Sequence, residues 1–202
     1  MITYIEGPRN CGKTFLLTKY FDRTEFKGKI EYYKFYFANH FKTLGLEWIE
    51  DSPALHYFSL GNIMTIMEMN VEKKLQKPIV FDRAIISAYT WAILRKRLSK
   101  EKASEEFIKL ISSPLFVNSK TVVIRHNTLG SSNRIKDSWD NLDNSEEWKI
   151  MSELIDLGKT HLSDKERNNE LVFIDNDFNE NSISNFVSVV DSFLTNSCFS
   201  DK

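Results

Sequence analysis

Gly7-Pro8-Arg9-Asn10-Cys11-Gly12-Lys13-Thr14 is the stretch that decides the fold. It satisfies the pattern of Gly, four residues, then Gly-Lys-Thr, in which successive backbone N–H groups curl around phosphate oxygens. Met1-Ile2-Thr3-Tyr4-Ile5-Glu6 precedes it, a β-branched and aromatic run that predicts a short buried strand. After it, Phe15 or Leu16, Leu17, Tyr20 and Phe21 fall three to four apart, which predicts a helix from Lys13 on. Strand, loop and helix in that order are the context this loop needs. The helix adds about half an elementary charge of positive dipole where the phosphates lie, and the glycines leave the backbone unobstructed. Gly7, Asn10, Cys11, Gly12, Lys13, Thr14 and Phe15 are therefore the candidate contacts to the phosphates of ATP. Lys13 supplies a point charge between the terminal phosphates, and the Thr14 hydroxyl is placed to meet a magnesium ion ligated by the same phosphates. Cys11 reads as a small loop residue and not as a nucleophile.

The remainder of the chain sets the class. Its 202 residues fit one domain, 1–202, and 42% hydrophobic with 27% charged residues excludes collagen-like, low-complexity and wholly disordered classes. A formal net charge of −1 leaves no global basic field for nucleic acid or anionic lipid, so a polyanion must be met by a local site. No stable nucleic-acid partner is expected. Cys11 and Cys198 form no disulfide framework, and the polar residues Glu6, Arg9 and Lys13 stand where a signal peptide needs an apolar core. The expectation is a cytoplasmic, non-membrane protein. His40, His56, His126 and His161 lack zinc-ligand spacing.

Further along, Lys29 to Phe37 suggests a second strand, and Leu60, Ile63, Met64, Met67, Val71 and Leu75 predict a long helix over 59–77 that Pro78 stops. Ile79-Val80-Phe81 gives a strand. Residues 84–98 and a stretch through Phe107, Ile108 and Ile111 read as helices. Thr121 to Ile124 and Leu171 to Ile174 are strands without intervening polar residues. Near-continuous apolar strands alternating with helices point to a parallel sheet covered on both faces, an α/β fold. Between the last two strands lies a polar segment, 126–146, the best candidate for a lid, followed by a helix from Trp148 to Leu157.

Asp82 directly follows the strand Ile79 to Phe81, so its carboxylate emerges at the carboxyl end of the sheet, where open α/β folds bind ligands. There it complements Thr14 on magnesium; as an alternative it caps the following helix. The Arg83 guanidinium suits a bidentate grip on a second phosphate. Arg, and not Glu, follows Asp82, so the carboxylate pair of AAA-type and ABC-type ATPases is missing, and no Asn-Lys-x-Asp guanine-reading motif occurs.

These residues together resemble the thymidylate kinase-like branch of the P-loop nucleoside monophosphate kinases. Ile2 to Thr14 is similar to the family's first strand and P-loop, Phe58 to Arg83 to its long helix and Asp-Arg strand end, and Leu171 to Phe193 to its last strand and helix, with Asp175 closing the strand. Ser87, five residues after Asp82, also matches. The resemblance implies a three-layer P-loop kinase fold with a five-stranded parallel sheet ordered 2-3-1-4-5. It further implies a magnesium and catalytic role for Asp82, an acceptor-phosphate grip by Arg83, ATP and a nucleoside monophosphate as substrates, and a homodimer.

Several residues depart from the family pattern. Arg9 stands where an aspartate usually contacts the acceptor sugar, so either sugar recognition differs or Arg9 acts as an arginine in cis on the transferring phosphate. Ala88-Tyr89 lies two residues closer to Asp82 than usual. The segment 126–146 lacks an arginine-dense stretch, leaving Arg125, Arg134 and Lys136 to neutralise charge, Arg134 first. Phe37 and Tyr89 are the favoured rings for stacking on an acceptor base, alongside Ser87 and Arg83 in the acceptor site. Family members acting on nucleosides tend to carry Glu-Arg where this chain has Asp82-Arg83, which favours a monophosphate, thymidylate first. The alternatives are a deoxynucleoside or polynucleotide-end kinase, and a non-catalytic ATP-binding module that switches a protein partner through 126–146.

Overall fold

The computed structural model describes residues 2–23, 29–34, 52–71, 77–113, 119–125, 144–161 and 171–195. Five strands and six helices lie among them: β1 (Ile2–Glu6), α1 (Lys13–Arg23), β2 (Glu31–Lys34), α2 (Pro53–Val71), β3 (Ile79–Asp82), α3 (Ile85–Leu94), α4 (Lys100–Ile111), β4 (Lys120–Arg125), α5 (Asn144–His161), β5 (Leu171–Asp175) and α6 (Glu180–Thr195). The strands pair in parallel in the order β2-β3-β1-β4-β5. This is the expected 2-3-1-4-5 sheet.

Side chains on the two faces of β1, β3 and β4 serve two different cores, which is why residues 2–6, 79–82 and 122–124 are buried without interruption. Tyr4, Ile79 and Phe81 pack with Leu60, Ile63 and Met67 of α2, Ile85 and Tyr89 of α3, Phe107 of α4, and Ile150 and Leu154 of α5. Ile5, Val80, Val122 and Ile124 face the other way, onto Leu16, Leu17 and Tyr20 of α1 and Ile183, Phe186 and Val190 of α6. The result is three layers.

Three helices have bounds that differ from the sequence expectation. α2 begins at Pro53, six residues before the expected start at Ser59, because Ser52 caps it: its hydroxyl accepts from the Ala54 N–H at 3.2 Å, and proline occupies the first helical turn, where no N–H is needed. The helix expected over 84–98 ends at Leu94. Lys96 adopts φ 53°, a chain reversal, and Ser99 then caps α4 by accepting from the Lys102 N–H. α5 runs from Asn144 to His161, longer at both ends than the stretch from Trp148 to Leu157. Residues 35–37 of the second expected strand, and 126–143 of the expected lid, lie outside the described residues. Among the described residues, no helix is long and apolar enough to cross a membrane.

Candidate active site

Two adjacent strands, β1 and β3, end side by side: Ile5 is in register with Asp82. The chain leaves β1 through Gly7 at φ 141° and returns to α1 through Asn10 at φ 58° and Gly12 at φ 88°. These left-handed conformations explain both glycines. A Cβ at Gly7 would also meet the Ile124 carbonyl oxygen, and one at Gly12 the Asn176 amide, so the loop is pressed against the ends of β4 and β5. Asn176 holds it there. Its side-chain amide donates to the Cys11 carbonyl at 2.9 Å, its oxygen accepts from Phe178 N–H at 3.0 Å, and its own N–H donates to the Arg125 carbonyl at 2.8 Å. Phe178 in turn packs on Phe15, ring centroids 5.5 Å apart.

Lys13 is buried inside this loop. Its ammonium donates to the Gly7 and Pro8 carbonyls, both at 2.6 Å, with the Cys11 sulfur at 3.4 Å. Burial, and then the nearby Arg83 charge, pull its pKa below the ordinary lysine range. Thr14 is exposed at the start of α1, beside the cradle. Asp82 is buried at the end of β3 and accepts from the Tyr32 hydroxyl at 3.1 Å. Burial and that carboxylate raise the Tyr32 pKa above the ordinary phenol range. Arg83 has φ 68°, a left-handed turn that a side chain rarely adopts, and its N–H donates to the Ile5 carbonyl at 3.0 Å.

Sequence reasoning missed the carboxylates that organise this group. The alternative reading of Asp82 as cap of the next helix is corrected, because Glu6 does that work. Its Oε1 accepts from the Ala84, Ile86 and Ser87 N–H groups at 3.0, 3.1 and 3.4 Å, and its Oε2 from the Ser87 hydroxyl. Ala84, at the N-cap position, offers no capping side chain. Full burial raises the Glu6 pKa despite these bonds. Ser87, expected at the acceptor, is thus engaged with Glu6.

Glu147, in the first turn of α5, was also unforeseen. It is fully buried, accepts from the Arg9 N–H at 3.1 Å and from Arg9 Nε at 3.0 Å, and lies 3.6 Å from Arg83 Nη1. Arg9 also stacks over Trp91, 5.2 Å from its centroid. Such partners sit 138 residues apart in the chain, which no local pattern signals.

The structure brings together Gly7, Asn10, Cys11, Gly12, Lys13, Thr14, Arg9, Asp82 and Arg83. It does not bring Tyr89 to them. That ring is 2% exposed, packed edge-on against His56 and Phe107 in the core, because α3 turns this face toward α2 and α4. Arg125, another charge candidate, is paired with Asp175, Nε to Oδ1 at 2.9 Å. Arg134, Lys136 and Phe37 lie outside the described residues.

The chain superposes on thymidylate kinases. That from Ehrlichia chaffeensis is similar at 14% identity with a TM-score of 0.57, over 96% of this chain and 98% of that one. That from Candida albicans is similar at 15% identity with a TM-score of 0.58, over 95% and 91%. The chain has the thymidylate kinase fold. No family model and no curated protein matches its sequence.

Proposed function

We propose that the protein transfers the terminal phosphoryl group of ATP to a nucleoside monophosphate, thymidylate first. The observation that carries this reading is the convergence of the Lys13 loop with Asp82 and Arg83 on adjacent strand ends, beneath one fold shared with thymidylate kinases.

In this reading the ATP phosphates lie along the N–H groups of residues 7–15, and Lys13 leaves the Gly7 and Pro8 carbonyls for the terminal phosphates, whose charge restores its pKa. The Thr14 hydroxyl and the Asp82 carboxylate are hard oxygen donors of the kind magnesium takes beside phosphate and water, and they would hold it. Bound magnesium would neutralise phosphate charge during transfer. Arg83 grips the acceptor phosphate, bringing it in line with the group to be transferred. Catalysis is then alignment and charge neutralisation, with little covalent chemistry for the protein to perform. The homodimer is part of the proposal, and sedimentation equilibrium tests it.

A coupled assay over nucleoside monophosphates and nucleosides tests the reading. Turnover with thymidylate and none with thymidine is the expected result; transfer to nucleosides alone, or none to any acceptor, would overturn it.

A further inference from the structure

Arg9, Arg83 and Glu147 form a buried group that the P-loop chemistry above does not require. The Glu147 side chain is fully buried, while those of Arg9 and Arg83 are 13% and 15% exposed. A carboxylate in this position is tolerated only if cations and donors face it. Oε2 is satisfied by two Arg9 donors. Among the described residues, Oε1 has no hydrogen-bond partner, and neither has the buried Arg83 Nη1 opposite it at 3.6 Å. The contact is therefore one of charge, and Arg83 keeps a buried donor unspent next to Asp82 and Lys13.

Glu147 is not free to swing away. Ile150, Met151, Leu154 and Ile155 in the following turns of α5 are all buried in the core. Its place near the positive end of α5 also favours a negative charge there. Arg9, by contrast, comes from the P-loop and Arg83 from the end of β3, so without a fixed anion between them two cations close to Lys13 would repel one another.

Resting on the kinase reading, we propose that Glu147 is a positioning residue: from α5 it sets Arg9 and Arg83 as a paired seat for the dianion of a phosphate monoester. The seat accepts a monophosphate and gives nothing to a free hydroxyl. Specificity for a phosphorylated acceptor is thereby written partly on α5, and Arg9 contributes to the acceptor side and not to the donor side.

The test is calorimetric titration of the full chain and of Glu147→Gln, Arg9→Ala, Arg9→Lys and the double variant Arg9→Ala/Glu147→Gln. The probes are inorganic phosphate, thymidylate, thymidine and a non-hydrolysable ATP analogue with magnesium. Glu147→Gln is expected to weaken phosphate and thymidylate by about tenfold or more, the scale of one charged hydrogen bond, and to change the analogue by less than about threefold. The double variant should be no weaker than Arg9→Ala, since the two residues act as one unit. Unchanged phosphate affinity in Glu147→Gln overturns the proposal, and so does an equal loss for phosphate and analogue, which marks a merely structural tie between α5 and the loop. Should Glu147→Gln fail to fold, the arginine variants decide: the seat requires weaker phosphate binding in Arg9→Ala than in Arg9→Lys, and equal values reject it. A wild-type chain that ignores the ATP analogue rejects the kinase reading alone, because phosphate titration without nucleotide still decides the seat.

Discussion

Lys13 donates to two carbonyls of its own loop, contacts that the terminal phosphates of ATP would replace on the proposed reading. Lys13→Ala should therefore lower kcat by about a hundredfold or more, the usual cost of removing a preorganised charge from a transition state, measured by the coupled assay with thymidylate. Glu6 acts on stability. Glu6→Ala strips the Ala84, Ile86 and Ser87 amides of their acceptor and should cost about 3 kcal/mol in denaturant unfolding. His56 sets a pH dependence. It is buried between Tyr57 and Tyr89, and burial lowers its pKa from 6.5 to about 4, with Glu106 opposing and Arg97 adding to the shift. The folded state thus resists protonation that the unfolded chain accepts, so stability is full above the unfolded value and falls as pH drops through the window from 6.5 to about 4. Unfolding curves at the two ends of that window should show a smaller loss for His56→Phe than for wild type.

The elements were legible in the sequence where local pattern and burial agree. β1 and β3 are buried on both faces along their length, β4 in its middle and β5 in part, which is what their apolar runs reflect, and the loop of residues 7–14 announces the turn between β1 and α1. The start of α2 was not read because its first turn is amphipathically weak and depends on the Ser52 cap; the end of α3 was not read because Lys96, and no glycine or proline, makes the reversal. Residue types alone do not tell a left-handed lysine from a helical one. At this scale Gly7→Ala is the informative change. It adds a Cβ against the Ile124 carbonyl oxygen, backbone that is held in the sheet and cannot retreat, and it strains φ 141°. ATP-analogue affinity should fall by about tenfold or more while the melting temperature drops only a few degrees, about 1–3 kcal/mol of local strain.

At the scale of the whole molecule, topology makes the site. Placing β1 between β3 and β4 puts the loop of residues 7–14 beside Asp82 and Arg83 on one flank and under Asn176 on the other. The P-loop, Asp82 and Arg83 could be found in the sequence because each is tied to a strand end. Glu6, Tyr32, Glu147 and Asn176 could not, since their roles arise from partners brought close only by the sheet and by α5. The most direct measurement is a crystal structure with a non-hydrolysable ATP analogue, magnesium and thymidylate. The account predicts the triphosphate in the loop of residues 7–14, Lys13 on its terminal phosphate, and Arg83 with Arg9 on the thymidylate phosphate. A loop that stays empty, or a nucleotide bound away from Asp82 and Arg83, would contradict it.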